Sequence, residues 1–318
     1  MDFYWTVFIF IIVVFLYIHI IAQYKKSEDL EIYEMDYVSN TDLQTVCNMK
    51  QPVLFESIPL EITLDILQKN ESYDMKVRDT DDVSDYVMLK YGSFKGLIDT
   101  DSKSHFITEG NHEFIEESGI YDEFTDLNSY LKPSLTVVTR YDIMMGSQNA
   151  ATPLRYHTDD RVFFIVSSGK IRVKMTPWKS RKYLHPIIDY DNYEFRSPVN
   201  AFDNMKNQEY MNDVDKLKFL EFDVLEGYIL YVPPYWWYSI QYIEADTLVL
   251  GTTYITAMNF LANTPDLVTY YLQQQNTTTK VLKTLVTEED EEKEEEKEKE
   301  KEKEKDEEKE KKNLSINI

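Results

Sequence analysis

The stretch EGYILYVPPYWWYSIQY, residues 226–242, decides the fold of this chain. Two apolar runs rich in aromatic and β-branched residues flank a turn that contains Pro233 and Pro234. Proline donates no hydrogen bond to a strand ladder, so the pair separates two strands rather than lying within one. Because side chains alternate along a strand, Tyr238 and Trp237 are predicted to face opposite sides of the second strand.

Further strand patterns lie on the N-terminal side of this stretch. Residues 134–146 (SLTVVTRYDIMMG) and 161–177 (RVFFIVSSGKIRVKMTP) are rich in β-forming residues, and the Ser-Ser-Gly-Lys turn in the second predicts a hairpin. Residues 51–58 (QPVLFESI) predict a short buried strand. Several antiparallel strands with few helices between them indicate a mainly β domain with flanking helices, built as a sandwich or a small barrel.

The N-terminal residues predict a membrane anchor. An uncharged apolar run of 20 residues extends from Phe3 to Ala22, long enough for a helix to cross a hydrocarbon core of about 30 Å. A secretory signal peptide is the competing interpretation, but no basic residue precedes the run and no small-x-small cleavage site follows it. Lys25 and Lys26 flank only the C-terminal end, so the positive-inside rule predicts a single-pass membrane protein with its main domain in the cytosol.

The C-terminal segment, residues 276–318, is of low complexity. Its run from 287 to 312 contains 16 acidic and 9 basic residues and no apolar stripe, so it is predicted to be a disordered, solvated tail. A docking arm for a basic protein partner is the alternative. The chain is therefore predicted to divide into an anchor (residues 1–26), a folded domain (29–275) and this tail.

The composition excludes several classes of function. A formal net charge of −23 argues against nucleic acid as a partner, because phosphate binding needs clustered Lys and Arg. The single cysteine, Cys47, excludes an internal disulfide framework and a cysteine-based zinc site. The sequence also lacks a Gly-x-Ser-x-Gly motif, a phosphate-binding glycine loop and a His-Glu-x-x-His motif.

Four segments resemble, in the same order, parts of the JmjC and cupin-like (cupin_8-type) group of the Fe(II)/2-oxoglutarate oxygenase superfamily. They are KQPVLF (residues 50–55), MMGSQNAATPLRYH (144–157), FFIVSSGKIRVKMTP (163–177) and VPPYWWYSI (232–240), of which the last is the most specific. The resemblance implies a double-stranded β-helix, that is, a jelly-roll or cupin barrel. The Tyr-, Asp- and Lys-rich usage is similar to that of membrane-anchored cupin-like proteins of large DNA viruses.

Active members of that group hold Fe(II) with a His-x-Asp/Glu motif and a distal His, and bind 2-oxoglutarate through a barrel lysine. His157-Thr-Asp159 is a literal His-x-Asp, and this register puts Ile171 at the lysine position. An ungapped register puts Lys170 there instead, but it fills the two metal slots with Arg155 and His157. Lys170 and Arg155 would then form a carboxylate or phosphate pocket without a metal. Neither register keeps both halves of the site.

The position of the distal histidine is occupied by Tyr238. A phenol, with a reference pKa of about 10, is a poor substitute for imidazole on Fe(II). Tyr238 is therefore expected to fill the mouth of the barrel with its hydroxyl hydrogen-bonded. The remaining candidates His105, His112 and His185 lie in probable loops without ligand spacing.

The sequence thus predicts a membrane-anchored, cupin-like binding or scaffold module with a degenerate metal site, no assigned catalytic residue and no cofactor. One alternative is a divergent Fe(II)/2-oxoglutarate-dependent hydroxylase that uses His157, Asp159 and Tyr238 as metal ligands. The other is a structural virion or membrane protein in which the anchor and the charged tail matter most.

Overall fold

The computed structural model describes residues 2–56, 62–81 and 86–276. The predicted tail, residues 276–318, lies outside the described residues except for its first residue. Within the described ranges the chain is mostly sheet with helices.

The strands are β1 (Tyr33–Glu34), β2 (Val53–Glu56), β3 (Asp74–Asp79), β4 (Val87–Lys90), β5 (Phe106–Thr108), β6 (Thr136–Gly146), β7 (Arg155–Tyr156), β8 (Arg161–Ser168), β9 (Lys170–Thr176), β10 (Ile187–Asp189), β11 (Glu194–Arg196), β12 (Leu220–Leu225), β13 (Tyr228–Val232), β14 (Trp237–Tyr242) and β15 (Leu248–Thr256). The α-helices are α1 (Asp2–Gln23), α2 (Asn40–Cys47), α3 (Leu64–Gln68), α4 (Tyr91–Thr100), α5 (His112–Glu117), α6 (Tyr121–Thr125), α7 (Asn128–Leu131), α8 (Met211–Val214), α9 (Ala257–Ala262) and α10 (Thr264–Asn276). Short 3-10 helices occupy Trp178–Tyr183 and Asn204–Tyr210.

The strands form two sheets. The larger sheet has nine strands in the order β1-β2-β13-β8-β15-β6-β5-β3-β4, and the smaller has six in the order β10-β11-β7-β14-β9-β12. The pairings are antiparallel except for β1 with β2. The short buried strand predicted at residues 51–58 is confirmed as β2.

The hairpin predicted at the Ser-Ser-Gly-Lys turn is wrong. β8 pairs with β13 and β15 in the larger sheet, whereas β9 pairs with β12 and β14 in the smaller one. Gly169, between them, has a φ of +73° and packs against Thr247. That left-handed backbone conformation, which favours glycine, accompanies the passage of the chain from one sheet to the other. β13 and β14 are divided between the two sheets in the same way, at the turn with Pro233 and Pro234.

The core has three layers, and side-chain alternation along the strands explains them. On β8, Phe163 belongs to the cluster that includes buried side chains of helices α2–α7, whereas Phe164 belongs to the cluster with members from both sheets. On β14, Tyr238 belongs to that same shared cluster, and Trp237 belongs to a third cluster with Leu154. The central strands are therefore buried on both faces, and the predicted opposition of Tyr238 and Trp237 is confirmed.

The N-terminal helix α1 is long and apolar enough to cross a membrane. A signal sequence has the same properties. Among residues 3–23 of this helix, the partly buried ones are Leu16, Ile20 and Gln23, which are spaced along one face. The helix contacts α9. The hydroxyl of Tyr24, directly after the helix, donates to the carbonyl oxygen of Ala262 over 2.5 Å.

Candidate functional site

A cavity of about 510 Å³ lies where β7, β14, the β10–β11 loop and α10 meet. β7 contributes Arg155 and Tyr156, and β14 contributes Tyr238. The loop that follows β5 adds Glu109 and Gly110. The remaining lining residues are Lys76, Tyr86, His157, Asp191, Asn192, Tyr193, Glu194, Tyr270 and Gln274.

Two arginines and two glutamates form a closed ion-pair network in the wall of this cavity. Arg155 donates to both carboxylate oxygens of Glu109, over 2.9 and 2.5 Å, and to Glu194 over 3.1 Å. Arg78, whose side chain is fully buried, donates to Glu109 over 3.0 Å and to Glu194 over 3.1 and 2.8 Å. The four charges balance, as burial of charged groups requires.

The network keeps Glu194 ionised. Burial alone would raise the pKa of Glu194, but hydrogen bonds from Arg78 and the charge of Arg155 lower it to about 2. The Glu194 carboxylate therefore stays ionised. Arg155 is already engaged by both Glu109 and Glu194. The arginine has little capacity left for a carboxylate or phosphate ligand.

His157 and Tyr193 are cavity-wall side chains whose polar atoms are buried without a close hydrogen bond among the described residues. For His157 this holds for both ring nitrogens, and the Val232 backbone is the hydrogen-bonding group that acts on the ring. Burial lowers the pKa of His157 to about 3, with the Val232 backbone acting in the opposite direction and the positive charge of Arg155 adding to the effect. The imidazole is therefore neutral near pH 7 and presents one donor and one acceptor.

Tyr238 lies between His157 and Arg155. Its ring meets the His157 ring edge-on at 5.7 Å between centroids, and the Arg155 guanidinium carbon is 5.8 Å from the ring centroid. Burial raises the pKa of the Tyr238 hydroxyl, while the charge of Arg155 opposes that rise. The phenol is thus a neutral group beside a fixed cation.

Asp159 does not join His157 and Tyr238. It is not among the residues that line the cavity. Burial raises the pKa of Asp159, with the charge of Arg140 opposing. The next residue, Asp160, belongs to a separate buried triad and accepts from Lys50 over 2.6 Å and from Arg161 over 2.8 Å. In this triad Asp160 is the counter-ion for two buried cations, and nothing in its sequence context indicates that.

Lys170 and Arg155 are also kept apart. Lys170, at the start of β9, is partly exposed and pairs with Asp223 on β12 over 2.7 Å. Its neighbour Ile171 is buried between the sheets. In the register of β9 with β14, Tyr238 is opposite Met175, five residues further along β9 than Lys170. The two basic residues therefore do not form one pocket.

These positions give a donor set that does not fit an Fe(II) centre. His157 offers a nitrogen, but its neighbours in the cavity are a neutral phenol and a guanidinium whose charge would repel a metal cation. Among the described residues, neither His157 nor Asp159 belongs to a group of three His, Cys, Asp or Glu ligand atoms lying within 4.8 Å of one another.

Such a group does occur at Asp79, Asp81 and His105, away from the predicted site. Lys206 pairs with Asp81 there and supplies a positive charge. Sequence spacing gave no signal for it, because the histidine lies more than twenty positions beyond the aspartates. The predicted loop position of His112 is wrong, because His112 is the first residue of α5 and pairs with Glu116 one turn along that helix. His185 pairs with Asp213.

The network residues Glu109, Glu194 and Arg78 were not predicted from the sequence. They come from a loop, from β11 and from β3, and each is separated from the next by tens of residues. Only Arg155 had been singled out, through the ungapped register. Comparison of the chain with known family models and with characterised proteins finds no match.

Proposed function

We propose that this chain is a membrane-anchored, non-catalytic binding module built on a double-stranded β-helix. The observation that carries the proposal is the position of Arg155. It lies directly opposite Tyr238 in the register of β7 with β14, and Glu109 and Glu194 hold it there. A cation thus occupies the place where the resemblance expects metal ligands.

The order of the strands supports the barrel. From β6 onward, with β10 and β11 left out, the larger sheet has the order β13-β8-β15-β6 and the smaller sheet the order β7-β14-β9-β12. If these eight strands are renumbered 1 to 8 in chain order, the larger sheet has the order 6-3-8-1 and the smaller sheet, which faces it, has the order 2-7-4-5. Two four-stranded antiparallel sheets whose chain crosses repeatedly between them are the arrangement of a jelly roll.

The charges around the cavity favour an uncharged ligand. Lys76 and Arg155 line it together with Glu109, Asp191 and Glu194. Arg78 behind the wall restores the balance. No net charge is left to select an anion or a cation, whereas the His157 ring, without a close hydrogen bond, and the surrounding tyrosines suit a small polar molecule with both a donor and an acceptor.

The anchor is proposed from α1. Its 22 residues span about 33 Å at the rise of an α-helix, enough for the hydrocarbon core. Lys25 and Lys26 after the helix favour a cytosolic domain. Carbonate extraction and protease protection of the full chain in membranes test the anchor and its orientation. A mature protein that begins after residue 22 would show cleavage of a signal sequence instead.

A metal-binding experiment distinguishes the proposed non-catalytic binding module from an Fe(II)/2-oxoglutarate-dependent hydroxylase. Purified full chain in detergent is dialysed anaerobically against Fe(II) for metal analysis, and decarboxylation of 2-oxoglutarate is then assayed in air-saturated buffer, with His157→Ala as the matched variant. We expect no stoichiometric iron and no turnover in either protein. One iron per chain that is lost in His157→Ala would overturn the non-catalytic assignment.

Ligand class is tested by saturation-transfer NMR with matched probes. Glucose and acetamide are compared with glucose 6-phosphate and acetate, each against wild type and His157→Ala. We expect transfer to the uncharged probes that is lost in the variant. Preferential transfer to the phosphate or carboxylate would favour the anion pocket.

A further inference from the structure

The last two helices carry almost no charge. Residues 257–276 contain one charged residue, Asp266, in a chain in which 29% of residues are charged. That carboxylate accepts a hydrogen bond from Tyr190, so it is held against the domain. A solvent-facing helix pair normally carries charged residues on its outer face, and this one does not.

Helix α10 differs from an ordinary surface helix in that polar side chains bond to the domain while large apolar side chains are exposed. The face against the domain is polar or amphipathic: Asp266 bonds to Tyr190, and Gln274 donates to the carbonyl oxygen of Asp191 over 2.7 Å. The opposite face exposes large apolar side chains, and α9 continues the surface. The outer face of α9–α10 exposes five large apolar side chains, interspersed with the uncharged polar residues Thr264, Thr269, Gln273 and Gln275. The apolar side chains are Phe260 (42% exposed), Leu261 (47%), Val268 (49%), Tyr271 (61%) and Leu272 (56%).

The anchor helix fixes where this outer face lies. α1 contacts α9, and the Tyr24 hydroxyl is bonded to the Ala262 carbonyl at the end of α9. The partly buried residues of α1 run from Leu16 to Gln23, a distance of about 10 Å along a helix. If α1 crosses a bilayer, α9 is therefore beside its last two turns, at the depth of the headgroups and the upper acyl chains.

Further contacts hold the domain close to the end of the anchor. The ammonium of Lys26 lies 3.9 Å from the Trp178 ring centroid and 4.4 Å from that of Tyr235. Lys179 donates to the backbone carbonyl of Glu28 over 2.7 Å. No free linker separates the anchor from the domain, so the helix pair is held at the membrane surface rather than being free to reach away from it.

We propose that the outer face of α9–α10 lies in the interfacial layer of the same bilayer that α1 crosses. The inference rests on the proposed anchor. A helix with an apolar outer face binds by burying that face about 5–10 Å into the boundary between headgroups and acyl chains. Tyr271 suits the headgroup level, where an amphipathic ring has an apolar body and a polar tip. Because Tyr270 and Gln274 of α10 line the cavity, the cavity is then held next to the membrane.

Site-directed spin labelling of the full chain in phosphatidylcholine vesicles tests this. Labels are placed by Leu272→Cys on the outer face, by Phe10→Cys within α1 and by Leu225→Cys as the matched control. Leu225 is 51% exposed and ends β12 beside Lys170, at the opposite end of the sheets from α9. The native Cys47 is fully buried and stays in place. Collision with lipid-soluble oxygen is compared with collision with an aqueous nickel chelate.

We expect the oxygen-to-nickel accessibility ratio at Leu272 to be severalfold higher than at Leu225 and to approach that at Phe10. A Leu272 ratio equal to that of Leu225, with Phe10 in lipid, would overturn the inference and leave the anchor intact. An aqueous Phe10 would overturn the anchor and the inference together. Protection of Leu272 from both reagents, with dipolar broadening between labels, would show a second copy on this face and would also overturn it.

Discussion

Tyr238 on β14 and Arg155 on β7 are direct register partners, and the guanidinium carbon lies 5.8 Å from the phenol ring centroid. The proposed relationship to Fe(II)/2-oxoglutarate oxygenases would put metal ligands in this region. Here it holds a neutral phenol and a cation that two carboxylates have already paired. The pair accounts for the misfit to Fe(II) more directly than the loss of any single ligand does.

Removing Arg155 should strongly destabilise the fold. Arg155→Met leaves Glu109 and Glu194 with a single buried cation between them, and breaking a buried pair typically costs about 3–5 kcal/mol. The free energy of unfolding, from urea denaturation followed by tryptophan fluorescence, is the measurement. Lys174→Met, which removes a partly exposed pair with Glu221, is the control and should cost about 0–1 kcal/mol. Equal losses in the two variants would contradict a structural role for the network.

Neighbouring aspartates should behave differently. Asp160→Asn leaves Lys50 and Arg161 without their counter-ion, and we expect a loss of about 3–5 kcal/mol in unfolding free energy. Asp159→Asn should cost less than about 1 kcal/mol, because burial already raises the pKa of Asp159 toward its neutral form. Thermal unfolding of both variants checks this. A larger effect from Asp159→Asn would indicate that Asp159 carries the more important interaction.

His157 should make stability fall in acid. Burial lowers its pKa from 6.5 to about 3, so between these values the unfolded state binds a proton that the folded state does not. Stability then decreases as the pH falls, by about 1.4 kcal/mol per pH unit for this one group. The wild-type slope between pH 6 and pH 4 should exceed that of His157→Gln by this amount. Identical slopes would mean that the imidazole is solvated.

The crossing between the sheets at Gly169 should not tolerate a side chain. A Cβ there would lie 2.5 Å from Thr247 Oγ1, at a φ of +73°. Gly169→Ala is expected to cost about 1–3 kcal/mol in unfolding free energy. Gly96, exposed on α4 with open space around a new Cβ, is the matched position. Gly96→Ala should raise the free energy of unfolding by up to about 1 kcal/mol. If both variants were stabilised, the backbone at Gly169 would not be constrained as proposed.

Local sequence patterns predicted α1 and several of the strands, but neither the helices between residues 59 and 135 nor the arrangement of the site. The two prolines separated β13 from β14, and alternation put Tyr238 and Trp237 on opposite faces, because both effects act within a few residues. The turn at Gly169 was misjudged because a turn sequence does not say whether the next strand returns to the same sheet. That choice depends on partners far along the chain, here β13 and β15 for β8, and β12 and β14 for β9.

The sequence by itself determined the apolar N-terminal helix, the mainly β class and the absence of a histidine at position 238, since each depends on composition or short-range order. Only the tertiary structure decided what surrounds Tyr238. The ion-pair network joins residues as far apart as Arg78 and Glu194, and the energy of a buried charge depends on groups brought together by folding rather than on neighbours in the chain. The tertiary structure likewise decided which face of α10 is exposed, because Asp266 and Gln274 bond to the domain and leave the apolar side chains of the opposite face outside.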